Sequence, residues 1–275
     1  MLPTFIIIGA TNAGTTSLYH YLGAHPDVIP SSIKEPSFFK TDKDFNKGLD
    51  WYKSLFEGVG KFAFEATTNY TKRHLYPGIP ERMHSVLPDI KLIYLIRDPI
   101  ERTITHYVSQ YKMRWESRTF SEVIKDPDSH IVLTSKYFYQ IQAFLDYYSK
   151  DQIMIVDSAR LKKDTSSLVS DVFEFLGIPP YQDKDLFEKK FNKSQNKKQI
   201  TKLHSVLNNK IKNHEIHEFI RVSSKPFRDF IATFKKPVER PRLTEEDREI
   251  LERELKPDAD KMRKFSGLDF SHWSV

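Results

Sequence analysis

Apolar residues in this chain come in short, dense runs separated by polar stretches. Phe5 to Ile8 is a continuous run ended by Gly9, the pattern of a strand buried on both faces. From Thr15 to Gly23 the period changes, with Leu18, Tyr19 and Leu22 falling on one helical face. Strand, glycine turn and helix make the first half of a βα unit. The alternation then recurs. Lys61–Glu65 predicts a short strand and Lys91–Ile96 a stronger one, stopped by Arg97, Asp98 and Pro99. Pro99 opens a helix to about Tyr111, as proline does in a first turn. Ser135–Tyr148 predicts another helix, Gln152–Val156 a fourth strand, and Leu168–Leu176 a helix closed by Gly177. Thr244–Phe265 returns to helical spacing through Ile250, Leu251 and Leu255, with an interruption expected at Pro257.

Strands alternating with helices predict an α/β fold with a central parallel sheet flanked by helices. Lys184–Lys212 is polar and lysine-rich, either a long surface loop or a lid. No repeat or low-complexity linker divides the chain, so one domain over residues 1–275 is the expectation. Composition agrees: 39% hydrophobic and 13% aromatic residues suit an ordinary globular core. The absence of cysteine excludes disulfides and thiolate metal sites. No apolar run reaches the roughly 18 residues of a membrane span. A soluble cytoplasmic protein is therefore expected, although a domain trimmed of an anchor would look the same. The formal charge of +6 suits an anionic ligand, but it is spread along the chain and no nucleic-acid reading motif accompanies it.

The candidate chemistry begins at residues 9–17, GATNAGTTS. Gly9 and Gly14 occupy G-x-x-x-x-G places, and Thr16 falls where a phosphate loop has its Ser/Thr. Such a turn directs backbone N–H groups and a helix N-terminus at an oxyanion, and Thr15, Thr16 and Ser17 add hydroxyls. Thr15 stands where the loop lysine of an ATPase or GTPase belongs, and no strand ends in a convincing magnesium-binding aspartate. Both observations argue against an NTP-dependent kinase. The Lys91–Ile96 strand ends instead in Arg97, at the edge where open parallel sheets bind ligands. Arg102 and Thr105 follow. If the Asp98-Pro99 turn brings the helix back under Arg97, a guanidinium and the Thr105 hydroxyl converge on one phosphate. The alternative is Arg97 paired with Asp98 or Glu101.

These residues resemble the sulfotransferases that use 3′-phosphoadenosine 5′-phosphosulfate (PAPS), in particular the glycan and heparan-sulfate type. The family's 5′-phosphosulfate loop, K-x-G-T-T/S-S, appears as Asn12, Ala13, Gly14, Thr15, Thr16, Ser17. Its 3′-phosphate motif, R-D/N-P-x-x-R-x-x-S, appears as Arg97-Asp98-Pro99 with Arg102 and Thr105. IKEPSFF (33–39), GLDWYKSLF (48–56), FEATTNY (64–70), Tyr137 with Gln140, and GLDFSHW (267–273) follow the family's order across nearly the whole chain.

The resemblance implies a P-loop-like three-layer fold and transfer of a sulfonate from PAPS to a hydroxyl or amine of a carbohydrate or glycolipid, leaving PAP, without a metal. It implies Glu35 as the base, with Lys34 touching the sulfonate or merely pairing with it. Thr11, Asn12, Ala13, Gly14, Thr15, Thr16, Ser17, Arg97 and Thr105 would bind the nucleotide. Asn192 and Ser194, in a lysine-rich stretch, would cover it. Several positions depart from the family, among them Asn69, where proline is usual, and Thr105, which keeps the hydroxyl of the family's serine. Ala66 stands where lysine or serine is frequent, and Ala159 where an acid is. Asn12 replaces the lysine that supports the leaving phosphate, keeping a donor and losing the charge. The chain is then a slow or inactive PAP- or PAPS-binding protein, or it recruits Lys34, Lys40 or another lysine, or Asn12 is an introduced replacement. His20 and His106 are expected to be structural, and Trp51, Tyr52 and Trp273 to belong to the core.

Overall fold

The structure, a computed structural model, describes residues 1–187 and 238–275. Five strands form one sheet: β1 (Phe5–Gly9), β2 (Val28–Pro30), β3 (Phe62–Ala66), β4 (Lys91–Ile96) and β5 (Ile153–Asp157). Their spatial order is β2-β3-β1-β4-β5, and every neighbouring pair is parallel. Helices cover the sheet, as the alternation predicts. Strands covered on both faces are apolar throughout; all of β1 and Leu92–Ile96 of β4 are buried. The sequence pattern missed β2. Three residues ending in proline make a weak strand signal, and Pro30, lacking an N–H, is tolerated here because β2 lies at the sheet edge.

The helix α1 (Thr15–Leu22) buries Leu18, Tyr19 and Leu22 as their spacing requires, packing on β1, β3 and the Thr165–Leu176 helix. Pro99 begins a helix that runs to Met113, and the Ser135–Tyr148 prediction narrows to Tyr137–Leu145. Pro257 interrupts nothing: Glu245–Ser266 is one helix, opened by a Thr244/Asp247 capping box and closed by Gly267. An interior proline costs about 3 kcal/mol. Burial of Ile250, Leu251, Leu255, Ala259 and Met262 on both sides of it offsets that, at roughly 1.5–3 kcal/mol for each large side chain.

That helix closes a second apolar cluster, in which Ile250, Leu251 and Leu255 meet Ile100, Ile104 and Tyr107 of the Pro99–Met113 helix. Beyond it, Trp273 stacks on Phe270 at 4.0 Å, and the Ser274 N–H donates to Asp98 Oδ2 at 2.5 Å. The carboxyl-terminal segment is thereby pinned to the turn after β4. From β1 the chain builds outward first through β2 and β3 on one side, then through β4 and β5 on the other. The carboxyl ends of β1 and β4 flank this switch point, where open α/β sheets bind ligands.

Candidate functional site

Two segments leave the sheet at the switch point: residues 10–14 after β1, and Arg97-Asp98 after β4. Gly9 is required by close approach, because a Cβ there would lie 2.1 Å from Thr71 Oγ1, whose hydroxyl donates to the Ile8 carbonyl. The Ala10 N–H donates to Leu95 O at 2.7 Å, fastening the loop to β4. Asn12 and Gly14 both have left-handed backbones, φ 67° and 109°, and asparagine tolerates that region better than most side chains. Gly14 brings no side chain to cap α1. Thr15 is buried, with Thr16 and Ser17 partly so. Thr11 Oγ1 and Asn12 Nδ2 are buried and bonded to no other described group. A buried polar atom left unpaired costs about 1–3 kcal/mol. An oxyanion seated on the loop would remove that cost at Asn12 and Thr11, so the residues present fit a nucleotide phosphate.

A second element reaches this loop from residues 33–39. Lys34 Nζ donates to Thr16 Oγ1 at 2.7 Å and lies 3.7 Å from Glu35 Oε1. The glycine loop therefore does have a cation beside it, supplied from outside. Glu35 and Ser37 adopt left-handed φ of 60° and 57°. The segment is anchored by Phe38, stacked on Tyr52 at 4.3 Å, and by Phe39, edge-on to the same ring. Lys40 is engaged elsewhere, paired with Asp44 at 3.3 Å and lying over the Tyr76 ring.

Sequence reasoning missed two residues beside Glu35. Lys72 donates to Asn69 Oδ1 at 2.8 Å. Burial, reinforced by the Arg102 charge, pulls its pKa down to about 8, while Glu35 pushes the other way. Glu65, on β3, is wholly buried and accepts hydroxyl protons from Tyr52, Thr67 and Tyr70. Burial pushes its carboxyl up to about 7 against those three hydroxyls, with Glu35 adding a small upward push. A lysine in a polar stretch, such as Lys72, carries no sequence mark of burial. The signals for Glu65 were its place in an otherwise apolar strand and in the FEATTNY segment.

At the second segment, Arg97 Nη1 reaches the Asn12 carbonyl at 3.4 Å, and Nη2 pairs with Glu101 Oε2 at 3.4 Å. Arg97 thus joins the two segments while also making the ion pair that was its alternative. Glu101 additionally pairs with Arg240. Asp98 is the helix cap, accepting from the Glu101 N–H at 2.8 Å. Thr105 does not present its proton outward: its hydroxyl donates to Glu101 O at 2.8 Å within the helix. Arg102 points into the core, wholly buried, donating to Ser135 Oγ and Ile131 O. Burial lowers its pKa to about 10.

His106 is buried against Arg102 and Gln110, and burial holds it well below the usual histidine range. Tyr52 and Trp273 are buried and Trp51 packs at the core's margin. Asn192, Ser194 and the lysine-rich stretch around them lie outside the described residues. Among the described residues no group of three or more His, Asp or Glu has metal-binding proximity, and no helix is long and apolar enough to cross a membrane.

Comparison with known proteins bears on the family and the fold. The sulfotransferase-domain family profile matches residues 2–270. The bifunctional heparan sulfate N-deacetylase/N-sulfotransferase 4 of Mus musculus is 29% identical over 202 residues, covering 66% of this chain and 23% of that protein. The heparan sulfate glucosamine 3-O-sulfotransferase 3B1 of Mus musculus is 32% identical over 187 residues, covering 64% of this chain and 46% of that protein. The chain thus spans less than half the length of these curated relatives. The crystal structure of a sulfotransferase from Alicyclobacillus acidocaldarius superposes over 100% of both chains, with a TM-score of 0.68 at 22% identity, and so shares the fold. The chain belongs to the sulfotransferase-domain family.

Proposed function

We propose that this protein transfers a sulfonate from PAPS to a hydroxyl or amine of an acceptor, with carbohydrate or glycolipid the favoured class. The observation that carries the reading is the Lys34 ammonium on Thr16 Oγ1, beside Glu35 and next to an uncapped loop with unpaired donors at Thr11 and Asn12. The names of the heparan sulfate relatives support the acceptor class.

PAPS, when bound, supplies an activated sulfonate whose transfer leaves negative charge on the 5′-phosphate. Glu35 removes the proton of the attacking hydroxyl or amine. Lys34 stands in for the loop lysine, meeting the charge that develops on the phosphate side. Thr11, Asn12, Thr15, Thr16 and Ser17, with the Ala13 and Gly14 backbone, hold the phosphosulfate end. Arg97 and Thr105 take the 3′-phosphate, which requires Arg97 to exchange Glu101 for the phosphate and the Thr105 hydroxyl to rotate off its own helix. Asn192 and Ser194 are proposed to cover the nucleotide, within a single domain.

Calorimetric titration with PAP, ADP and Mg·ATP tests this. Clear preference for PAP is expected; tighter binding of Mg·ATP would reassign the site. A PAP- or PAPS-binding protein without turnover is the second reading, favoured by the uncharged Asn12. PAP binding without sulfonate transfer to any of a panel of amine- and hydroxyl-bearing glycans would select it.

A further inference from the structure

Glu65 is a carboxyl group with no cation bonded to it among the described residues, wholly buried on β3 where an apolar residue would be expected. Its neighbours explain what it does. Tyr52 OH and Tyr70 OH donate to Oε1 at 2.7 and 2.8 Å, and Thr67 Oγ1 donates to Oε2 at 2.5 Å. With their protons committed to the carboxylate, two of these hydroxyls present lone pairs on their other side. Thr67 Oγ1 accepts the Ser37 N–H at 3.3 Å, and Tyr70 OH accepts the Phe39 N–H at 3.4 Å. Both amides belong to the segment that carries Glu35, and Ser37 Oγ in turn donates to the Glu35 carbonyl.

We infer that Glu65 is a positioning residue for Glu35. Through the Thr67 and Tyr70 hydroxyls it fixes the polarity of two relays that hold residues 35–39 in their left-handed turn and so aim the Glu35 carboxylate. The inference rests on the reading of Glu35 as the base. Its physical basis is directional. A hydroxyl has one proton, and only an acceptor on the sheet side leaves the loop side free to accept. Left-handed backbone at two non-glycine residues, Glu35 and Ser37, persists only where surrounding contacts impose it. Phe38 and Phe39 fill the aromatic cage around Tyr52, but rings fix depth and not the direction in which the preceding carboxylate points. The two backbone N–H anchors supply that direction.

Glu65→Gln keeps size and shape but places amide N–H groups either against Thr67 or against Tyr52 and Tyr70. The Thr67 or Tyr70 hydroxyl so faced must then turn its proton out toward the backbone N–H it now accepts. Hydrogen exchange at the Ser37 and Phe39 amides, kcat for sulfonate transfer and PAP affinity would be measured on the same preparations above pH 7, where the Glu65 carboxyl is ionised and accepts from all three hydroxyls. The expected result is faster exchange at one or both amides, kcat reduced on the order of 10²-fold as for a small misplacement of a catalytic group, and unchanged PAP affinity. Thr67→Val and Tyr70→Phe each cut one relay and should release Ser37 and Phe39 respectively. They keep the question answerable if Glu65→Gln does not fold. Tyr52→Phe removes a donor to Glu65 that serves neither relay, and should leave both amides protected.

Unchanged exchange in the relay variants overturns the inference, as does faster exchange with undiminished kcat, or a kcat loss matched by an equal loss of PAP affinity. If the wild-type protein neither binds PAP nor transfers sulfonate, the functional reading fails by itself. The exchange measurements then still decide whether Glu65 holds the segment.

Discussion

The loop at residues 9–17 and the helix start at residues 97–105 face each other across the switch point, and their polar groups are in opposite states. In the first, α1 has no side-chain cap, and Thr11 Oγ1 and Asn12 Nδ2 are unpaired among the described residues. In the second, Asp98 caps its helix, Arg97 is paired with Glu101, Thr105 donates to its own helix, and Arg102 is spent on the core. The first is ready for an anion. The second must exchange internal partners for one. On the proposed function, binding of the 5′ end would be preorganised, whereas recognition of the 3′-phosphate would be coupled to rearrangement and gain less affinity per contact.

The largest effects belong to the open side. Glu35→Gln should lower sulfonate transfer by roughly 10²–10⁴ and leave PAP titration unchanged; equal loss of PAP binding would assign Glu35 to nucleotide contact instead. Asn12→Lys sharpens the contrast by returning a cation to the loop itself. One transition-state donor is worth about 10²–10³ in rate, so a gain of up to that size is expected in steady-state assays, while a lysine in the left-handed backbone of residue 12 lowers stability by up to roughly 1–2 kcal/mol. No gain would mean that Lys34 already does this work.

On the paired side the effects should be smaller. Arg97→Ala should weaken PAP by about ten- to a hundredfold, the range for a hydrogen bond to a charged group, while affinity for adenosine 5′-phosphosulfate, which lacks the 3′-phosphate, holds. Equal losses for both ligands would show that Arg97 acts through its Asn12 contact. Thr105→Val should change PAP affinity by only about 1 kcal/mol or less, because its hydroxyl must first leave Glu101 O.

Glu65 gives a stability prediction with a definite sign. Its folded pKa, about 7, lies above the carboxylate's ordinary 4.5. Its contribution is full at low pH and is lost as pH rises from about 4.5 through 7, at up to about 1.4 kcal/mol per pH unit. Tyr19, Tyr52, Tyr70 and Glu35 share its field; the tyrosines stay neutral over this range. Urea midpoints should thus move in favour of Glu65→Gln over wild type between pH 5 and 8. A constant difference would show that Glu65 does not titrate there.

Much of this was legible in advance, and the failures have physical causes. β1 and β4 announce themselves because a fully covered strand must be apolar along its whole length. The glycine loop is legible because its glycines answer local demands, a close approach at Gly9 and a left-handed turn at Gly14. β2 is too short to show a period, and the helix through Pro257 survives on packing that lies outside any sequence window. Lys72 and Glu65 read as ordinary polar residues because burial belongs to the fold, not to the residue. Arg102 stood in a binding motif beside Arg97, yet the direction of its side chain is set by Ser135 and Ile131, about thirty residues away along the chain.

By itself, the sequence determined the order of strands and helices and the glycine turn with its asparagine, since propensity, periodicity and turn chemistry act over a few neighbouring residues. Only the tertiary structure decided that Lys34 reaches Thr16, eighteen residues earlier in the chain, and that Ser37 is held by Thr67, thirty residues later. Those contacts exist because β3, packed parallel beside β1, carries residues 65–67 to the same end of the sheet as the phosphate loop. Side chains distant in sequence then share one small, partly dry volume, in which a single charge or hydroxyl proton governs its neighbours.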